Sequence, residues 1–176
     1  KTFETSILHS QKLRPFSYQV GNTYSRSDGD FSFTDNNGTP FNLTDDRVRK
    51  RRNNEFARHS LNTGLQLVIP YGGITVDFKN QLFREDRGIP GLGNLTSDTA
   101  DLSTTRNGTS VELTRRGLFN RLDLSLVPHF EFQKQQFSDP LGEIGLGRTD
   151  NDDLTLRYGA RLLARMTVGT HQRWTA

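Results

Sequence analysis

The stretch that most constrains the fold of this chain covers residues 53–87. Apolar and polar residues alternate over 57–69, and the alternation resumes over 74–82 after the turn-forming segment 70–73. Successive side chains of a strand point to opposite faces, so a period of two predicts a β-hairpin with one apolar and one polar face. Each arm exceeds the five or six residues that are usual in soluble sheets. Because about nine to eleven tilted residues cross a bilayer, this length is typical of an outer-membrane barrel wall.

The composition of the 176 residues agrees with such a wall. Hydrophobic residues make up 32% of the chain, whereas typical domains carry about 45–50% when glycine is counted. Disorder, a thin exposed sheet or a barrel with a polar lumen would explain the low value, and twelve Phe with four Tyr in regular alternation disfavour disorder. No run of apolar residues is long enough for a membrane helix. The absence of cysteine excludes a disulfide framework and a thiolate metal site.

The connections between the predicted strands differ in length on the two sides of the sheet. Tight turns and long polar loops follow one another along the whole chain, which is the asymmetry of outer-membrane barrels. With about seven to eight strands, we expect an all-β fold in which residues 1–176 form part of a larger antiparallel transmembrane β-barrel. The further strands are predicted at 2–9, 16–26, 106–115, 121–137 and 153–168, with another opening at Trp174; the turns at 11–15, 116–120 and 169–172; and the long loops at 27–54, 85–105 and 138–152.

Several phrases of the sequence resemble a known family. They begin at Phe16, Tyr24, Asp35, Arg52 and Arg87 and read FSY, YSRSDGDFSF, DNNGT, RNN and RGIPG. In this order they resemble the first half of the barrel of TonB-dependent outer-membrane receptors, in the cobalamin and siderophore branch, over about residues 14–168.

The resemblance implies a 22-stranded barrel with an N-terminal plug domain in the outer membrane of a Gram-negative bacterium. Such a receptor takes up a scarce nutrient, such as a ferric siderophore or cobalamin, with energy from an inner-membrane complex that acts through the plug. No plug domain or energy-coupling segment is recognised in the 176 residues. We therefore expect a fragment whose partners are the plug, the remaining strands, a small nutrient ligand, and outer-membrane lipid and lipopolysaccharide.

The charged residues of the strands and loops supply the candidate sites. A charge that faces lipid near the midplane would cost about 2–4 kcal/mol, so the charged face is predicted to face the lumen. The external loops are predicted to contact the ligand. The predicted lumen-facing residues are Arg58, Asp77, Lys79, Arg157, Arg161 and Arg165, and the predicted ligand contacts are Asp35, Asn36, Asn37 and Arg87.

The acidic residues of the first long loop could bind calcium, which takes six to eight oxygen ligands. Some cobalamin receptors use calcium in loops of this part of the barrel, as the resemblance implies. Turn-forming Asp and Asn in a solvated loop explain the same composition without an ion, and no other cofactor is expected. The candidate ligands are Asp28, Asp30, Asp35, Asp45 and Asp46.

The densest basic run covers residues 47–52. It could contact lipopolysaccharide phosphates or an acidic substrate, or it could be a solvated loop base. It has no interleaved aromatic residues, so nucleic acid is not expected. The single histidines and the absence of a nucleophile elbow or a phosphate-binding loop indicate no enzyme. Aromatic residues near strand ends suggest interfacial girdles: Tyr18, Tyr24, Tyr71, Phe119, Phe130, Phe137 and Trp174.

Two other interpretations stay open. Four glycosylation sequons, at Asn37, Asn42, Asn94 and Asn107, permit a secreted β-rich adhesion or carbohydrate-binding module, and all four are predicted in or beside the external loops. A porin-type barrel shares the strand pattern. A soluble sandwich needs a second sheet over its apolar face, so one apolar face persisting on every strand favours a barrel in lipid.

Overall fold

The structure, a computed structural model, describes residues 1–91, 96–168 and 172–175. These residues form an all-β fold of antiparallel strands. Among them, no helix is long and apolar enough to cross a membrane. The strands are β1 (Thr2–Leu13), β2 (Phe16–Ser27), β3 (Ser32–Asp35), β4 (Arg47–Lys50), β5 (Phe56–Ile69), β6 (Ile74–Gly88), β7 (Asp101–Leu118), β8 (Leu122–Asp139), β9 (Thr149–Val168) and β10 (Gln172–Thr175).

The main sheet has eight strands in the order β1-β2-β5-β6-β7-β8-β9-β10, and β3 and β4 form a separate hairpin. Each strand of the main sheet pairs with the next one along the chain, apart from the excursion of β3 and β4 between β2 and β5. Within the described residues, β1 and β10 are the edges of the main sheet. The predicted meander of long strands is confirmed.

Short and long connections lie at opposite ends of this sheet. Residues 14–15, 70–73 and 119–121 make the short turns, whereas 28–55, 89–100 and 140–148 make the long connections. The first long connection carries the hairpin of β3 and β4. The turn predicted at 169–172 lies mostly outside the described residues.

Three predicted connections were too long. β6 continues to Gly88 and β7 begins at Asp101, so the second loop is shorter than predicted. β8 and β9 likewise extend into the third loop, and β1 extends into the connection predicted at 11–15. The strand ends beside the long loops carry mostly polar residues on both faces, as Arg84 to Arg87 do. A period of two in hydropathy therefore disappears there although backbone pairing continues.

The register sorts the strand residues into two faces. On the apolar face, one row of directly opposed residues crosses seven strands and contains only apolar side chains. On the opposite, polar face, the row three residues further towards the long loops contains amide, hydroxyl, imidazole, lysine and glycine residues. The apolar row is Leu13, Phe16, Leu67, Val76, Leu113, Leu126 and Leu162, and the polar row is Gln19, Gly64, Lys79, Ser110, His129 and Gly159.

The apolar face has no protein layer over it within the described residues. Ala100 is the one buried hydrophobic residue there, and it lies in a loop. Leu162 in the apolar row keeps 66% of its surface exposed. The apolar face of the described sheet is therefore exposed.

The structure places two of the predicted surface residues within strands. Asn107, predicted beside the second external loop, lies inside β7 on the apolar face, where its Oδ1 accepts a hydrogen bond from Asn80 at 3.3 Å. Phe137 lies on the polar face of β8, opposite Asn151. Asn94 and the side chain of Trp174 lie outside the described residues.

Candidate functional site on the polar face and long loops

A groove of ≈ 780 Å³ runs across the polar face between β2 and β8. Gly64 and Gly108 make it deep, because a Cβ atom at either position would meet nothing within 4 Å. Lys79 and Arg106 bring two positive charges to its lining, Glu131 brings one negative charge, and Phe83 adds an aromatic ring. The groove can bind a polar ligand or polar protein surface through amides and two cations.

The six charged residues predicted to face the lumen share this polar face. Arg58 Nη2 lies 2.7 Å from Glu85 Oε2, and Arg157 Nη1 lies 3.5 Å from Glu131 Oε2. Asp77 accepts a hydrogen bond from Gln66 at 2.7 Å. With the described residues, Lys79, Arg161 and Arg165 form no ion pair.

The polar face carries two further carboxylates, Glu112 and Asp123, and both make local hydrogen bonds. Asp123 accepts the Gly117 N–H at 2.9 Å, and Glu112 accepts the Ser125 hydroxyl at 2.8 Å.

Three of the four predicted ligand contacts stabilise the first long loop. Asp35, which is 3% exposed, accepts the Asn37 N–H at 3.0 Å and pairs with Arg49 Nε at 2.9 Å. Asn36 accepts the Gly38 N–H at 3.3 Å through its side chain. Asn37 adopts a positive φ of 48°. These groups hold a tight turn at the end of the hairpin of β3 and β4.

Arg87, the fourth predicted ligand contact, lies near the end of β6 on the polar face. It stands opposite Phe56 and Leu102 in the register, and its Nη1 lies 3.8 Å from Glu85 Oε1. Arg87 therefore lies on the main sheet, at the end beside the long loops, whereas Asp35 lies in the separate hairpin of β3 and β4.

The five acidic residues proposed for calcium are divided among separate partners. Asp28 and Asp30 lie at the start of the first long loop, where Asp30 Oδ2 lies 3.7 Å from Lys50 Nζ. Asp45 accepts the Thr39 hydroxyl at 2.8 Å. The Oδ1 atoms of Asp45 and Asp46 are buried and have no hydrogen-bond partner among the described residues. Among the described residues, no three His, Asp or Glu side chains are grouped to hold a metal, and calcium binding stays a prediction.

Most basic side chains of the run at 47–52 pair with groups in the first and second long loops. Arg49 pairs with Asp35, and Lys50 Nζ lies 3.7 Å from Asp30. Arg51 donates to the carbonyl of Gly91 and lies 5.3 Å from the Phe33 ring centroid. Arg52 lies 3.6 Å from Asp98. The run therefore ties the first long loop to the second.

Asn53 is the main junction between these two loops. Its Nδ2 lies 2.6 Å from the Ala100 carbonyl, 3.2 Å from the Ile89 carbonyl and 3.3 Å from the Ser97 hydroxyl. Its φ is +51°, a conformation that Asn tolerates better than most residues. The side chain of Asn53 thus ties both ends of the 89–100 loop to the first long loop.

Glu143 connects the third loop to the second. Its Oε2 accepts the N–H groups of Asp98 and Thr99 at 2.9 Å each and the hydroxyls of Ser97 and Thr99 at 3.0 and 2.9 Å. The Thr99 N–H contributes most to holding the pKa of the Glu143 carboxyl below its ordinary value. Negative charge on Glu143 therefore favours the joined loops.

Asp139 shapes the third loop from the end of β8. The side chain is fully buried and accepts the N–H groups of Glu143, Ile144 and Gly145 at 2.8, 2.9 and 3.2 Å. Burial alone would raise the pKa of this carboxyl, but these hydrogen bonds outweigh burial and hold the pKa below its ordinary value. Asp139 thereby positions Glu143 for its contacts with the second loop.

Sequence reasoning missed this joined arrangement, which we call the loop network and define by Asn53, Ser97, Asp139 and Glu143. A weak local signal existed for Asp139, because Asp followed by Pro-Leu-Gly at a strand end is typical of a side chain that caps a turn. The contacts of Asn53 and Glu143 join residues 36 to 47 positions apart, and no local pattern encodes them.

Comparison of the chain with protein-family models gave no match, and comparison with curated proteins also gave none. The functional argument therefore depends on the geometry of the sheet and its loops.

Proposed function

We propose that the chain forms part of the wall of an outer-membrane β-barrel receptor of the TonB-dependent type, which takes up a scarce nutrient such as a ferric siderophore or cobalamin. In this arrangement the apolar face meets lipid and the polar face lines the lumen. The short turns face the periplasm and the long loops face the outside.

The observation that carries the barrel proposal is the apolar series on the outward face beside the short turns. On β8 this series runs over alternate residues from Leu122 to Phe132 without a polar interruption. Ten residue steps at about 3.3 Å cover roughly 33 Å along the strand, or about 25 Å across a membrane at a tilt near 40°. That height equals the apolar band of outer-membrane barrels, about 25 Å.

The strands continue beyond this band towards the long loops. On β6 the face that carries Leu82 continues with Arg84 and Asp86, and β5 shows His59 next to Leu61. Polar residues on both faces suit a barrel wall that projects above the membrane. The loop network would then give a ligand a surface built from three loops rather than from one.

The receptor part of the proposal is supported by the polar groove and by the sequence resemblance. Lys79 and Arg106 in the groove would attract an anionic ligand or an acidic surface of the plug. The plug, the remaining strands and the energy-coupling complex are partners that the proposal requires.

Membrane placement can be tested by cysteine labelling, because the chain contains no native cysteine. In the full-length protein in whole cells, Leu146→Cys at a loop tip should react with a membrane-impermeant maleimide. Leu162→Cys on the apolar face, although 66% exposed in the isolated sheet, should react only after detergent is added. Equal labelling of both variants in intact cells would refute the barrel.

Uptake is tested separately. The reading frame on both sides of residues 1–176 should encode a signal peptide, a plug-sized domain and further alternating strands. Deletion of the gene should abolish growth on a ferric siderophore or on cobalamin as the sole source. A complete frame of about this length, or unimpaired growth on both nutrients, would refute the receptor assignment.

A further inference from the structure

Four exposed arginines without a protein partner among the described residues lie in the short turns or near the end of β7. Arg14 lies in the turn between β1 and β2, Arg115 and Arg116 lie near the end of β7, and Arg121 precedes β8. Within the described residues, none of these guanidinium groups forms a hydrogen bond or ion pair. At the loop end, Arg49, Arg58 and Arg148 pair with carboxylates, whereas Arg26 and Arg47 form no ion pair with the described residues.

Two glycines hold part of this group in place. The Arg116 N–H donates to the Gly73 carbonyl at 2.9 Å, which joins the end of β7 to the turn at 70–73. A Cβ at Gly72 would lie 3.0 Å from Arg115 Nη1, and a Cβ at Gly73 would lie 2.9 Å from the Arg116 carbonyl oxygen. Both glycines have a positive φ, of 104° and 61°. The turn therefore lets the two arginines approach its backbone.

Aromatic rings stand beside the arginines. Tyr71 in the turn between β5 and β6 is 94% exposed, and Phe119 in the turn between β7 and β8 is 85% exposed. We call these two rings and the four arginines the turn-side rim. Aromatic and basic side chains together are typical of the headgroup level of a membrane.

The rim is continuous with the apolar face. Arg115 stands in the register directly between Ile74 on β6 and Leu124 on β8. Its guanidinium is therefore attached where the apolar series begins. The carboxylates on the adjoining strand ends, Asp77, Glu112 and Asp123, accept hydrogen bonds from Gln66, Ser125 and Gly117. An anion that complements the rim must come from outside the described chain.

We propose that the turn-side rim binds the phosphate groups of anionic glycerophospholipids in the leaflet beside the short turns. The inference rests on the proposed function, because it requires the apolar face to lie in a bilayer. A guanidinium group binds phosphate oxygens through paired N–H groups. The exposed rings and the adjoining apolar series also need an apolar neighbour. A lipid provides one together with its phosphate, whereas a soluble phosphate does not.

The test compares lipid selectivity in the full-length protein reconstituted in vesicles. Spin-labelled phosphatidylglycerol and phosphatidylcholine report the relative association of each lipid with the protein surface. The variant Arg115→Gln/Arg116→Gln/Arg121→Gln should lose most of the preference for phosphatidylglycerol. A basic side chain near an anionic surface contributes about fivefold in association, the equivalent of roughly 1 kcal/mol, so the full loss would approach about a hundredfold. High salt should reduce the wild-type preference, because exposed charges are screened.

The matched control is Arg26→Gln/Arg47→Gln, which removes two exposed arginines at the loop end. It should keep the preference of the wild type.

Insertion into pure phosphatidylcholine vesicles, measured by protection from added protease, is determined first for every variant. Failure of the wild type to insert would overturn the barrel and the rim together. Normal insertion without a phosphatidylglycerol preference, or an equal loss in the control, would overturn the rim alone. If inorganic phosphate abolished the preference for phosphatidylglycerol, the rim proposal would also be overturned, because the ligand would then be a soluble anion.

Discussion

A pair of arginine substitutions on neighbouring residues of β5 separates the two faces of the sheet. Leu65 lies on the apolar face between Tyr18 and Phe78, and Gln66 lies on the polar face beside Asp77. Leu65 is also the centre of the β5 series from Leu61 to Ile69. Four residue steps on either side give about 13 Å along the strand, or about 10 Å of depth at a tilt near 40°.

That depth places Leu65 near the midplane of the proposed membrane. Leu65→Arg should therefore lower the free energy of unfolding by about 2–4 kcal/mol in vesicles. Gln66→Arg should change it by less than about 1 kcal/mol, because the new guanidinium replaces an amide that already donates to Asp77 at 2.7 Å.

Reversible denaturant unfolding of the full-length protein from vesicles measures both free energies. The two variants differ by one position along the chain and carry the same new side chain. Equal destabilisation, or a larger effect of Gln66→Arg, would refute the assignment of the apolar face to lipid. Equal and small effects would mean that water reaches both faces.

Three further predictions concern the loops and a turn. Asn53→Ala should destabilise the loop network by about 1–3 kcal/mol in a hydrogen-exchange experiment, because two carbonyls and a hydroxyl lose their donor. Asn53→Gly keeps the positive φ at lower strain, so the same experiment on this variant isolates the loss of the side chain. The pKa values of Asp139 and Glu143 are depressed in the fold, so the stabilisation by these carboxylates is present above the ordinary pKa values of about 4 and is lost as pH falls through the depressed values. Protection of the Thr99 and Ile144 amides from exchange should therefore stay constant from about pH 7 to 5 and should decrease below about pH 4. A decrease already between pH 7 and 5 would contradict this. Gly73→Ala should destabilise by about 1–3 kcal/mol through its positive φ and its close contact with Arg116, whereas Gly64→Ala, with open space around it, should be nearly neutral in the same unfolding assay.

The sequence predicted the strands where one face is apolar and the other polar. β8 was found because leucine and phenylalanine alternate with Asp123, Ser125 and Gln133. The ends of β6 to β9 were missed because both faces are polar above the apolar series. Pairing there depends on backbone hydrogen bonds to the neighbouring strand, which hydropathy does not record.

The candidate sites were less predictable than the strands. The shared face of Arg58, Lys79 and Arg157 followed from counting alternate positions, and the register has them on one face. Their partners did not follow, because Glu85 and Glu131 come opposite them only through the pairing of different strands. Asn53 and Glu143 were missed for the same reason, since loop packing brought their partners close.

The loop network also bears on how the outer surface of such a protein can diversify. The tip of the first loop, with Phe41 and Leu43 exposed, is held by local bonds between Asn36, Thr39 and Asp45. Sequence changes and insertions at this tip would leave the rest of the surface undisturbed. Exchange of the second or third loop alone, in contrast, would separate Ser97 from Glu143. Recombination between related genes should therefore yield folded chimeras most often when residues 51–143 are inherited as one block.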